Sequence, residues 1–282
     1  MPISSRVPRA FFAASHPRPL VLGILNVTGD SFSDGGFYLD PSRAIAHGLA
    51  LWHEGADLVD AGGESTRPGA QPVPLEEELR RVLPVIEALV KAGVAVSVDT
   101  LKPGVMRAAI AAGCAVVNDV NAFRSPGAVE AVAGAKVGLI AMHMQGEPAT
   151  MQQAPHYDDV VAEVGAFLRA RAAALEAAGV APERIVLDPG FGFGKTTAQN
   201  KLLFRALPAL ASMGYPILAG LSRKKSIGDL TGRSAGERLA GSVAAALLAV
   251  QNGASLVRVH DVAETVDALK VWQALSSPED HP

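Results

Sequence analysis

Cysteine is nearly absent: Cys114 is the only one in 282 residues. A lone cysteine excludes an internal disulfide and fits the reducing cytoplasm. Its place in the apolar run 111–117 makes it a core residue rather than a nucleophile. An excess of either charge is also missing. With 25 Lys and Arg against 28 Asp and Glu, the net charge is -3, so neither nucleic acid nor a membrane surface is an expected partner. No apolar run reaches the ~18 residues of a membrane span. Arg6, Arg9 and Phe11-Phe12-Ala13-Ala14 begin to look like a secretion signal, but His16-Pro17-Arg18-Pro19 breaks the pattern before a hydrophobic stretch forms. The expectation is an N-terminal arm over 1–19 and one domain over 20–282.

Several catalytic signatures are missing as well. There is no Gly-x-Ser-x-Gly elbow for acyl transfer, and Asn26-Val27-Thr28 stands where a zinc hydrolase barrel would carry His-x-His. Only three residues separate Gly190 from Gly194-Lys195, whereas a P-loop needs four; the dinucleotide pattern G-x-G-x-x-G fails in the same stretch. A Schiff-base aldolase would want a lysine inside a strand body, and no strand-like run holds one.

What is present is a repeated alternation. Nearly half of the residues, 49%, are hydrophobic, which is ample for a large core. Short, mostly β-branched runs recur at 20–27, 57–62, 94–100, 115–120, 137–143, 184–188, 216–221 and 255–260, and read as strands. Helical patterns lie between them. One spans 75–92, with Glu76, Glu77 and Glu78 in its first turn and Gly93 as its stop. Others span 158–178, 235–252 and 262–275. Strand followed by helix, eight times over without a linker, predicts an α/β fold: a single (β/α)8 TIM barrel with its active site at the C-terminal ends of the strands. A doubly wound open sheet is the alternative.

The polar residues support the barrel. Each run is apolar in its body and ends on a group able to bind a ligand: Asn26, Asp60, Asp99, Asn118-Asp119, His143, Asp188, Ser222-Arg223-Lys224, and Arg258 with His260. Any one of these reads equally well as a cap or turn residue. All eight together read as one rim. The stretch Ile185-Val186-Leu187-Asp188-Pro189-Gly190-Phe191-Gly192-Phe193-Gly194-Lys195 is the most telling, because a buried strand ends on a carboxylate and a glycine-rich loop follows at once. Lys195 and Lys225 are expected at the periphery.

The side chains narrow the chemistry. Asp99, Asn118 and Asp188 offer acceptors plus one amide donor, which suits a flat heterocycle rich in N–H groups and not a sugar. Asn26 offers a neutral oxygen, apt for Mg2+ held mainly by substrate phosphates and water. Gly62-Gly63-Glu64-Ser65-Thr66-Arg67-Pro68-Gly69 is a flexible loop with an anion-binding arginine. Arg67, Lys224, Arg258 and His260 together could hold a diphosphate.

These segments resemble the dihydropteroate synthase family. Asn26–Gly36 is similar to its first signature and Gly62–Gly69 to its second. Ser97-Val98-Asp99-Thr100, Val117-Asn118-Asp119-Val120, Met142-His143-Met144-Gln145-Gly146, Asp188–Lys195, Leu221-Ser222-Arg223-Lys224 and Arg258-Val259-His260-Asp261-Val262 match in order. The resemblance implies condensation of 6-hydroxymethyl-7,8-dihydropterin diphosphate with 4-aminobenzoate, giving 7,8-dihydropteroate and pyrophosphate in folate biosynthesis. It further implies that Asp99, Asn118, Asp188 and Lys224 hold the pterin and that Asn26 takes Mg2+. Arg258, His260, Asn26 and Arg67 would hold the diphosphate. Thr66, Arg67, Phe193 and Ser222 would form the aminobenzoate site, where sulfonamides compete. Arg67, Lys224, Arg258 and His260 are the catalytic groups on this reading, and a homodimer is the expected assembly. Two departures stand out: Gly29 replaces the family's usual proline, and Lys225-Ser226 replaces its usual Ser-Met. A pterin-binding methyltransferase domain would share the carboxylates but lack the 65–67 and 222–224 loops. A non-catalytic paralogue would have lost Asn26, Arg67 or Lys224.

Overall fold

A computed structural model describes residues 18–28, 41–66 and 69–276. Most of the expected 1–19 arm, Gly29 and Arg67 therefore lie outside the described residues. The elements run β1 (Leu20–Asn26), α1 (Pro41–His53), β2 (Leu58–Gly62), α2 (Leu75–Lys91), β3 (Val96–Asp99), α3 (Pro103–Ala111), β4 (Val116–Asp119), α4 (Ala128–Val132) and β5 (Gly138–Met142). They continue α5 (Val160–Ala177), β6 (Ile185–Asp188), α6 (Thr197–Arg205), α7 (Leu207–Ala211), β7 (Leu218–Ala219), α8 (Lys225–Thr231), α9 (Leu239–Gln251), β8 (Leu256–Val259) and α10 (Val262–Ser276).

The strands form one parallel sheet in the order β6-β5-β4-β3-β2-β1-β8-β7. Its two outer strands then meet through a bridge between Leu187 and Ile217 and a bond from Leu187 N–H to the Pro216 carbonyl of 3.0 Å. Sequential neighbours all the way round, with the edges joined, make a (β/α)8 barrel; an open doubly wound sheet would reverse its strand order midway. β7 is short because Pro216 has no N–H for the ladder.

Two local differences from the sequence reading have simple causes. The expected helix over 235–252 is split. Ser234 and Glu237 form a capping box around a short 3-10 turn, and α9 starts only at Leu239. The segment after β6 is also broken, because Pro208 restarts the helix as α7.

Strand periodicity positions the site. Leu20, Leu22, Leu58, Val116, Ile140, Val186, Leu218 and Leu256 form one cluster that fills the barrel. The alternate residues, among them Val21, Leu25, Val59, Val98, Val117, Leu139, Leu187 and Val257, belong to the larger core under the helices. Counting in twos along each strand from the inner set brings Asn26, Asp60, Asp99, Asn118, Asp188 and Arg258 to the barrel interior. Register confirms their level: Asn26 pairs with Gly62, Gly62 with Asp99, and Asp99 with Asn118. The apolar layer is the floor, and these polar groups lie on it. No helix among the described residues is long and apolar enough to cross a membrane.

The floor should be costly to hollow out. Ile140 is fully buried, so Ile140→Ala is expected to lose about 2–5 kcal/mol of unfolding free energy. Urea titration followed by circular dichroism checks this, and a loss near zero would contradict a packed barrel interior.

Candidate active site

The deepest part of the rim is an ion network. Arg258, from β8, donates from Nε to Asp60 Oδ2 at 2.6 Å and from Nη2 to Asp99 Oδ2 at 2.8 Å. Asn118 Nδ2 donates to the same Asp60 oxygen at 3.1 Å. One side chain thus joins β2, β3 and β8, with β4 attached through the amide. The remaining oxygens, Asp60 Oδ1 and Asp99 Oδ1, are buried with no hydrogen-bond partner among the described residues. Burial pushes the Asp99 carboxyl up to about 7; Arg258 opposes the rise, and the charges of Asp60, Asp119 and Glu78 add to it. Burial would lower the Arg258 pKa, but Asp60 and Asp99 more than offset that. Oriented carboxylates with spare lone pairs in a low-dielectric pocket are built to receive N–H donors.

Asp188, at the end of β6, faces the same space. Its Oδ1 accepts the Gly190 N–H at 2.7 Å. Burial raises its pKa against the opposing charges of Lys224, Lys195 and Arg258. Lys224 is pulled down to about 8, chiefly by burial. Its Nζ bonds the Phe191 carbonyl and stands 4.6 Å from the centre of the Phe193 ring, a cation–π contact. Asp99, Asp188, Lys224 and Arg258 act on one another electrostatically. Of the strand ends named from the sequence, Asp60, Asp99, Asn118 and Arg258 are thus bonded together, and Asp188 and Lys224 act on this group.

The loop after β6 turns sharply through Gly190 and Gly194, both at positive φ. A Cβ at Gly190 would run into the His143 carbonyl, and one at Gly194 into Gln145. Lys195, expected at the periphery, is instead buried. Its Nζ bonds the Gly190 carbonyl at 2.9 Å, the Phe193 carbonyl at 3.1 Å and His143 Nδ1 at 2.9 Å. The positive φ at Gly194 turns the chain back so that the lysine closes its own loop. Burial takes its pKa down to about 7. His143 is pushed to about 3 by burial and by Lys195, so the ring is neutral and accepts from the ammonium. Lys225, by contrast, is exposed and pairs with Asp229.

On the opposite side, Ser222 Oγ lies 3.0 Å from His260 Nδ1 and accepts the His260 backbone N–H at 3.1 Å. Between Ser222 and Lys224, Arg223 takes a positive φ of 55°. Its guanidinium pairs with Asp261, and its backbone N–H reaches Ser242 Oγ at 2.9 Å. Thr66 lines a small cleft with Asp99 and Lys102. Asn26 is half-buried at the mouth of β1.

Not every strand-end group faces a ligand. Asp119 points away from the barrel interior and accepts the N–H groups of Asn121 and Phe123, both at 2.7 Å; it is a turn cap. His143 serves Lys195. Sequence reasoning also missed Lys102, whose Nζ joins Glu64 and the buried Glu78. Glu78 had looked like an ordinary first-turn acid, and nothing local marked it as buried. For Mg2+, Asn26 supplies a single amide oxygen. Among the described residues, no group of three or more His, Cys, Asp or Glu side chains could hold an ion. The donors fit the metal only in company with a substrate's phosphate oxygens.

With this geometry in place, comparisons with known proteins agree. The model of a family described as pterin binding enzyme matches residues 22–260. A dihydropteroate synthase of Neisseria meningitidis serogroup B is 53% identical over 265 residues, covering 92% of this chain and 93% of the relative. The crystal structure of Xanthomonas albilineans dihydropteroate synthase with 4-aminobenzoic acid is 60% identical, with a TM-score of 0.87 over 93% of this chain and 94% of that one. Its complex with 7,8-dihydropteroate is 58% identical, with a TM-score of 0.85 over 93% and 95%.

The buried Lys195 has a pH signature. A lysine near 7 in the folded chain and near ~10.4 when unfolded leaves the unfolded state with more protons between those values. Its unfavourable contribution is therefore relieved as pH rises through that window. Wild type minus Lys195→Met should gain up to about 1.4 kcal/mol per pH unit between roughly pH 7 and 10, read by urea unfolding. A difference that stays flat with pH would contradict the buried amine.

Proposed function

The chain belongs to the pterin binding enzyme family, and on that premise we infer that it is a transferase of folate biosynthesis, condensing 6-hydroxymethyl-7,8-dihydropterin diphosphate with 4-aminobenzoate. The products are 7,8-dihydropteroate and pyrophosphate. The observation that carries this reading is the pair of inward carboxylates, Asp99 and Asp188, beside Asn118 on one rim, with Asp99 Oδ1 lacking a partner among the described residues.

On this reading Asp99, Asn118 and Asp188 accept and donate along the pterin edge, and Lys224 sits against the ring. Arg258 already holds Asp60 and Asp99 through Nε and Nη2, so a diphosphate contact falls to its Nη1, aided by His260 and Arg67. Thr66, Arg67, Phe193 and Ser222 would form the site for 4-aminobenzoate, the place where a sulfonamide would compete. In the reaction, the C–O bond to diphosphate breaks and its electron pair leaves with pyrophosphate. Positive charge grows on the pterin methylene, where the Phe193 ring can cover it. The amine then forms the C–N bond and releases its proton. No strong base is required, because an aniline is largely unprotonated at neutral pH. Mg2+, held by Asn26 and the substrate, would supply charge neutralisation for the departing diphosphate.

We further infer a homodimer, supported by the exposed Leu248, Val271 and Leu275 on α9 and α10, and a cytoplasmic location, supported by the single free cysteine. Sedimentation at micromolar concentration tests the first.

Two substitutions separate the halves of the site. Asp188→Ala should weaken binding of a pterin analogue by about 1.5–3 kcal/mol, roughly 10- to 150-fold, measured by calorimetry. Arg67→Ala should leave that affinity within about threefold and slow pyrophosphate release by at least about tenfold. Near-normal turnover in Asp188→Ala would overturn the assignment. For the enzyme itself, pyrophosphate release should depend on added 4-aminobenzoate; release indifferent to it would contradict the condensation.

A further inference from the structure

Lys102 stands immediately before α3, three residues after Asp99. Its Nζ bonds Glu64 Oε2 and, at 2.5 Å, Glu78 Oε2. Glu78 is wholly buried at the start of α2. Glu64 lies at the root of the β2–α2 loop, and the same Oε2 accepts the Val73 N–H at 2.8 Å from the far end of that loop. Arg81 adds a bond from Nη1 to the Gly63 carbonyl at 2.9 Å. The space at Gly63 is fully used, since a Cβ there would come within 2.7 Å of Val82 Cγ1. The two ends of the β2–α2 loop, at Glu64 and at Val73, are thus tied together, and each tie passes through Glu64 or its neighbour.

Two carboxylates sharing one ammonium in a half-buried cluster are a costly way to fasten a loop; apolar residues of the same volume would do it at less desolvation cost. What the ion cluster adds is direction. The small cleft that Lys102 lines also contains Thr66, from the loop, and Asp99, from the rim. Its lysine holds the loop root, through Glu64, to the element that buries Glu78. Burial lowers the Lys102 pKa, and the bonds and charges of Glu64 and Glu78 outweigh that to raise it, so the bridge stays charged in the working range.

We propose that Lys102 is a positioning residue: by bridging Glu64 to Glu78 it holds Thr66 in register with the Asp99 wall, so that the amine arrives in line with the pterin methylene. The substrate names rest on the function inferred above; the tie itself does not. A displacement of about an ångström in a positioning group is enough to cost a large factor in rate.

The test uses three variants of the full chain and two readouts. Glu64→Ala releases the loop while leaving Lys102 paired with Glu78, Lys102→Met removes the bridge, and Lys102→Arg keeps its charge. Amide hydrogen exchange over 65–73, without substrate, should speed at least about tenfold in Glu64→Ala and Lys102→Met and return toward wild type in Lys102→Arg. KM for 4-aminobenzoate should rise by at least about tenfold in the first two, with the affinity for a pterin analogue changed by less than about threefold. Unchanged exchange in Glu64→Ala, an unchanged KM, or an equal loss of pterin affinity would each overturn the proposal. If Lys102→Met fails to fold, Glu64→Ala decides alone. A wild type without 4-aminobenzoate-dependent turnover would refute the inferred function, and the exchange data would still judge the tie.

Discussion

The structure depends on Arg258 spanning the mouth of the barrel. Asp60 and Asp99 are buried carboxylates placed in the interior by strand periodicity, and burial disfavours the charge of Asp99. A single guanidinium satisfies one oxygen of each and leaves the other buried without a hydrogen bond among the described residues. Removing it would leave two buried carboxylates uncompensated, an arrangement far more costly than losing the pair together. The same arrangement keeps Asp99 oriented and ready to accept, so the ligand site needs little reorganisation on binding.

Around that centre, loops supply what strands cannot. The strand bodies are closed by apolar packing on both faces, and only their ends are free to vary. The β6–α6 loop is made rigid by glycines that no other residue could replace and by a lysine turned inward onto its own carbonyls. The β7–α8 loop is fixed through Arg223, held at positive φ by Asp261, Ser242 and Arg238. Ser222 and Lys224 then flank a fixed point, and His260 is tied to Ser222 from the neighbouring strand. Rigid walls on three sides suit a reaction that must shield a developing cation from water.

The fold was largely legible because β-branched runs, glycine stops and acidic first turns recur with the period of a βα unit. The strand ends at Thr100, Val120 and His143 were each read one residue too long; Thr100 and His143 still donate their N–H groups to the Asn118 and Asp188 carbonyls, so the chain leaves the ladder only after them. Asp99, Asn118 and Asp188 were legible as strand ends. Asp119 was not separable from Asn118, because a parallel strand buried on both faces, such as Val116-Val117, shows no alternation from which to take the inward parity. Lys195 and Lys102 escaped for another reason. The acids that hold Lys102 are 24 and 38 positions away and the histidine ring beside Lys195 is 52 away, and such pairings leave no mark on local sequence.

The convergence of Asp99, Asn118 and Asp188 on one fused ring is tested most directly by a crystal structure of the protein with a pterin analogue bound. The ring should lie in the barrel mouth, with its N–H groups within hydrogen-bond reach of Asp99 Oδ1 and of the Asp188 carboxylate. A ring found elsewhere, or in the mouth with Asp99 Oδ1 still unpartnered, would contradict it.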